Sequence, residues 1–137
     1  MMEIWLRYAI SLFIAIHGLV YLVAPFTPMA PNISKGWKGT SAALGNALST
    51  NALKSLTTWF WVLAGIGLLA AATTIAFASL VPGLWRPLVI TGSMLGVASF
   101  VVFYDGQASL FVNQGGIGMA ISLAILAGVL AFPQAFP

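Results

Sequence analysis

Between Ile4 and Ala24 the chain carries a single charge, Arg7, and between Thr57 and Val81 it carries none. Two further stretches, Trp85 to Tyr104 and Gly115 to Phe132, are nearly as bare, with Arg86 the only charge in either. A helix crossing about 30 Å of hydrocarbon at 1.5 Å per residue needs roughly 20 mainly apolar residues. All four stretches meet that demand, so the sequence predicts an all-α polytopic membrane protein, a single domain of four transmembrane helices over residues 1–137. Only 5% of the residues are charged, whereas a soluble domain carries about 25%. The first stretch has the length of a span rather than of the shorter apolar region of a secretory signal.

Pro25, Pro28 and Pro31 end the first span, because proline lacks an N–H and pushes the preceding residue out of helical geometry. From Thr40 to Leu56 the chain turns polar, yet Leu44, Leu48, Ala52 and Leu56 recur every four residues. That spacing predicts either a helix lying at the interface or an inward extension of the second span. Trp37, Trp59 and Trp61 flank this region with Lys35, Lys38 and Lys54, as expected of aromatic and cationic residues at headgroup depth. Pro82 and Gly83 predict a tight turn joining the second and third spans as antiparallel neighbours. Inside a bilayer helices associate through small residues, and Gly92 and Gly96, then Gly118 and Ser122, supply such faces.

Several kinds of chemistry are excluded. No cysteine is present, so thiolate and disulfide chemistry is absent. His17, Glu3 and Asp105 are too few to build a metal or bis-histidine haem site from this chain alone. The net charge of +3 comes from scattered residues, with no basic cluster to follow a nucleic-acid backbone. Gly115, Gly116 and Gly118 follow no strand, so they make no dinucleotide loop. The first-loop side of the membrane carries three lysines and the opposite side Arg7 and Arg86, a difference too small to set orientation.

Intramembrane ionisable groups are functional candidates by default. Glu3 and Arg7, four residues apart, form an expected helical pair. His17 lies roughly 10 Å below the first-loop surface, with Tyr21 one turn further along the same face. A neutral imidazole needs both a donor and an acceptor, which lipid does not offer. His17 and Tyr21 are therefore expected to line a small polar pocket open toward the first loop. The residues expected to bind a ligand are His17, Tyr21, Tyr104, Asp105 and Asn113. Asp105 has the plainer reading of a solvated turn acid before Gly106, and Asn113 is placed to cap the fourth helix.

The run from Arg7, Tyr8, Ala9, Ile10 and Ser11 to His17, Gly18, Leu19, Val20 and Tyr21 resembles the opening helix of DoxX-like proteins, small four-helix membrane proteins of bacteria. In that family an arginine is followed four residues later by glycine, then by a His-Gly or similar pair and a lysine. Arg7, His17 and Gly18 fit the spacing, with Ser11 in place of the glycine and Tyr21 in place of the lysine. The second span opens on Trp59, Phe60 and Trp61 without the acid that often begins it. Tyr104, Asp105 and Gly106, with Gly115 to Gly118, are more similar to uncharacterised small bacterial membrane proteins. The resemblance implies a bacterial inner-membrane subunit with cytoplasmic termini and quinone-linked or other redox partners. Two functions are expected: a non-catalytic subunit of a larger, redox or energy-converting membrane complex, or a stand-alone bundle that binds a quinone, lipid or other hydrophobic ligand.

Overall fold

In the computed structural model the described residues are 4–133, apart from Pro28, Met29, Pro31, Ala78 and Leu80. The expected Glu3–Arg7 pair lies outside them. Among the described residues four α-helices form: α1 (Ile4–Val23), α2 (Thr50–Ala76), α3 (Trp85–Phe103) and α4 (Gly116–Ala131). Among the described residues there is no strand, only an isolated bridge between Ser41 and Gly45. Three helices are long and apolar enough to cross a bilayer, which marks an integral membrane protein by length and composition. The fourth is apolar but has 16 residues, about 24 Å at 1.5 Å each.

α1 stops at Val23, where Ala24–Phe26 tightens into a 3-10 turn carrying Pro25. α2 begins seven residues before the expected Thr57, because Ser49 caps it: the Ser49 hydroxyl accepts the Ala52 N–H at 3.2 Å. Leu53 is fully buried within this added stretch. Of the two readings of Thr40 to Leu56, the extended helix therefore holds for Thr50 onward, while Leu44 and Leu48 lie in the turns before it.

α2 is the spine, packed against α1 on one side and α3 on the other, and α4 rests on α3. Small residues let the backbones close. A Cβ on Gly18 would stand 3.1 Å from the Gly65 carbonyl, and one on Gly92 would stand 3.2 Å from the Ala64 carbonyl. Leu68, Ala71, Ile75 and Val89 complete a buried seam between them. The outward faces are apolar, with Trp5, Phe13, Ile66, Met94 and Leu130 each more than half exposed. The interior holds the hydroxyls of Ser11, Thr57, Ser93, Ser99 and Ser122. All of these but Ser93 are hydrogen-bonded, and an apolar exterior around a largely hydrogen-bonded interior is what a bilayer solvent selects.

One expectation at α4 is corrected. Asn113 does not cap this helix; Gly115 does, at a left-handed φ of +91°. The chain from Phe111 to Gly115 is already turned, and the Gly116 N–H is used by the Phe111 carbonyl at 2.9 Å. A left-handed residue is needed to enter the helix from there, and only glycine takes that conformation without strain.

Candidate functional site

The first polar assembly joins three helices within the bundle. His17 Nε2 and the Tyr21 hydroxyl from α1 both lie 3.0 Å from the Ser122 hydroxyl of α4. One proton and two lone-pair regions let the serine donate to one partner while accepting from the other. The imidazole and phenol rings meet edge to face at 4.9 Å. Gly96 of α3 closes the assembly, since a Cβ there would stand 2.5 Å from the Tyr21 hydroxyl, and Gly118 is the next glycine beside the same hydroxyl at 3.4 Å. His17, Tyr21 and Ser122 are 4%, 5% and 0% exposed. The expected open pocket at His17 and Tyr21 is thus filled by the partners themselves, because Ser122 supplies the hydrogen bonding that lipid cannot.

The second assembly is built by the first loop folding over the end of α3. Trp37 donates its indole N–H to the Phe103 carbonyl at 3.1 Å, and its ring stands edge-on to Phe103. The Ala42 N–H donates to the Tyr104 carbonyl at 2.7 Å, and the Ser41 hydroxyl donates to the Val101 carbonyl at 3.0 Å. Asp105 is the hub. Its carboxylate accepts the Lys38 N–H at 3.0 Å, the Gln107 N–H at 3.1 Å and the Gln107 side-chain N–H at 2.7 Å. Gln107 also donates to the Gly36 carbonyl, so the loop is tied to α3 from both sides.

Burial pushes the Asp105 carboxyl up, but the Lys38 and Gln107 donors outweigh it and hold the group below its ordinary value. The plain reading of a solvated turn acid is corrected: Asp105 is 6% exposed. Nor does it reach His17; its contacts are to the loop. Tyr104 is stacked on Phe100 at 4.9 Å and stands edge-on to Phe111.

Beside this lid lies a cavity of about 230 Å³, lined among others by Asn32, Lys35, Trp37, Phe103, Asn113 and Gln114. Gln114 is 3% exposed, and its Oε1 accepts the Asp105 backbone N–H at 3.3 Å. The carboxamide Nε2 is buried and has no partner at hydrogen-bond geometry, though the Gln114 side chain helps to hold the Asp105 carboxyl down. Of the residues expected to bind a ligand, Asn113 alone lines this cavity. Gln114 and Lys35 were not singled out for a ligand, and Trp37 was read only as an anchor. A signal for them existed in the Asn-Gln pair placed before the glycines and in a tryptophan set between two lysines.

A second cavity, of about 300 Å³, is apolar and separates α1 from α4, with Ile10, Phe13 and Ile14 facing Ile121, Ile125 and Val129. Among the described residues no group of three or more His, Asp or Glu side chains is placed to hold a metal. Comparison with family models, with curated proteins and with solved structures finds no match.

Proposed function

We propose that this chain is a non-catalytic, four-span membrane protein that takes the polar head of an amphiphile into the cavity at its loop-side end. The observation that carries the reading is the buried Gln114 side chain in the wall of that cavity, whose carboxamide Nε2 has no partner at hydrogen-bond geometry while its Oε1 accepts the Asp105 N–H. Buried polar groups in native proteins nearly always have partners, and an unmade donor costs about 1 to 3 kcal/mol. Trp37 and Phe103 add an aromatic wall, while Asn32 and Asn113 bring further amides. The site stands where a bundle presents its end to the headgroup layer, so a ligand held there keeps its apolar part in lipid.

In this reading α4 is the fourth span, its short length met by local thinning of the bilayer. The membrane is the bacterial inner membrane with the termini cytoplasmic, as the DoxX-like opening of α1 implies. A second reading, a subunit of a larger redox or energy-converting membrane assembly, is favoured by the unclosed apolar gap between α1 and α4.

Purification from native membranes separates the two. Amphiphile binding predicts one class of lipid or quinone retained near one per chain and depleted in Asn113→Trp, which fills the cavity from an exposed position. A protein partner at fixed stoichiometry, with no retained amphiphile, would replace the first reading by the second.

A further inference from the structure

We infer that the cleft between α1 and α4 seats one acyl chain of a phospholipid whose phosphate is held by Arg7 at the membrane surface on the side of the termini. This second lipid site lies at the far end of the bundle from the loop-side cavity and does not depend on what that cavity holds.

The cleft is a slot. Ile10 and Ile14 of α1 face Ile121, Ile125 and Val129 of α4 across about 300 Å³, and no polar side chain lines it. Toward the loop it is dead-ended, because His17 Nε2 and the Ser122 hydroxyl close α1 onto α4 at 3.0 Å. Away from that closure it stays open, and a Cβ on Gly128 would meet nothing within 4 Å. Walls that face a void lose their dispersion contacts, and the bilayer supplies hydrocarbon to restore them. A helical segment 15 Å long and 10 Å across occupies on the order of 1,000 Å³. A partner helix can therefore lie across the mouth of the slot but cannot enter it, whereas a single hydrocarbon chain can.

Arg7 supplies the polar end. It stands three residues before Ile10 and seven before Ile14, which puts it on the same face of α1, one turn nearer the membrane surface. Its Nε is buried and has no hydrogen-bond partner, and its guanidinium carbon lies 5.4 Å from the centre of the Tyr8 ring. The group is thus held against the protein. A guanidinium carries five N–H donors and no acceptor, so a partner in the preceding turn would still leave several for an anionic oxygen. That planar fork of donors is suited to the paired oxygens of a phosphate.

The lengths agree. Arg7 and His17 are ten residues apart, about 15 Å along the helix axis. One leaflet is half of about 30 Å of hydrocarbon. A phospholipid with its phosphate at Arg7 has a chain that reaches the His17–Ser122 closure at the floor of its own leaflet.

The test uses the full chain in neutral detergent. Phosphatidylglycerol and diacylglycerol with the same chains are titrated, and bound lipid is counted by mass spectrometry of the intact complex. The cleft itself is read by a fluorophore on Gly128→Cys, the only thiol in a chain without cysteine, quenched by lipid brominated along its chains. Phosphatidylglycerol should quench saturably at a concentration about tenfold or more below that of diacylglycerol. Arg7→Gln should erase the preference, and Arg7→Lys, which keeps the charge without the fork, should recover part of it. Ala124→Trp, at an exposed position in the cleft wall, should lower the count of bound phosphatidylglycerol by one, while Asn113→Trp at the loop-side cavity should leave the quenching unchanged.

Equal affinity for the two lipids, unchanged in Arg7→Gln, would overturn the proposal. So would a fluorophore that bound phosphatidylglycerol leaves unquenched, because the lipid then sits elsewhere or a protein surface covers the slot.

Discussion

At the loop-side end of the molecule α1 meets α4 through His17 and Ser122, and the first loop is fastened to α3 by backbone and side-chain hydrogen bonds. Toward the termini the same two helices stand apart, and isoleucines face one another across about 300 Å³. Lipid tails are as apolar as isoleucine, so an apolar face gains little by leaving lipid for another apolar face. Closure follows small residues and hydrogen bonds instead. Gly96 admits Tyr21, Ser122 answers His17, and nothing comparable joins Ile14 to Ile125. Apolar surface is abundant at both ends, and it is the polar and the small residues that decide where helices touch.

The largest expected effect falls where α1, α3 and α4 converge. Gly96→Leu places a Cβ 2.5 Å from the Tyr21 hydroxyl and 2.8 Å from the Ser122 hydroxyl, and a branched side chain beyond it. The expected cost is about 3 kcal/mol, the upper range for overpacking, read as lost thermal stability in detergent. A variant that melts like the parent would mean that this end is as loosely held as the other.

Asp105→Ala is next, at about 2 kcal/mol, since it strips the acceptor from three N–H groups. The sign of the pH dependence follows from the depressed carboxyl. Its contribution is complete above the ordinary carboxyl value, about 3.9, and is lost as the pH falls through the lower folded value. The protection of the Lys38 and Gln107 amides, relative to their intrinsic exchange at each pH, should therefore fall only in acid, and Asp105→Asn should abolish that change. Protection lost between pH 7 and 5 would place the lid's control elsewhere.

His17→Phe keeps the bulk of the ring and removes its bond to Ser122, with an expected loss of about 1 kcal/mol, in the range for hydrogen bonds between membrane helices. Spin labels on α1 and α4 should move apart, extending the terminal-side gap toward the loop. An unchanged distance would assign the closure to Tyr21 alone. Gly128→Leu is the smallest perturbation: nothing lies within 4 Å of its Cβ position, so stability should stay within about 0.5 kcal/mol. A large loss there would show that the gap is not open in the membrane.

Helices were the legible part of this sequence because a long apolar run has one physical meaning. The end of α1 and the start of α3 follow directly from Pro25 and from the Pro82-Gly83 turn. The early start of α2 was harder to see, since Ser49 stands among polar residues and its capping role depends on the backbone around it. His17 and Tyr21 declare their shared face through their spacing, whereas Ser122, 105 residues away from His17, reads only as a small residue. The lid leaves no periodic trace at all. It is held by bonds such as Ala42 to Tyr104 and Trp37 to Phe103, many of them to backbone groups that every residue carries alike. Gln114 leaves only the faint signal of an Asn-Gln pair before the glycines, since its partner is the backbone N–H of Asp105.

The 27 residues of α2 and the 16 of α4 give the body unequal heights, about 40 Å on one flank and about 24 Å on the other. With α4 as a span, lipid beside it must compress while lipid beside α2 need not. On the proposed four-span reading the protein would sit in the bilayer as a wedge, with the lipid strained more on the α4 flank than on the α2 flank. Membranes of different thickness would hold such a wedge at different energies, so the length of one helix would sort the molecule among them before any ligand is bound.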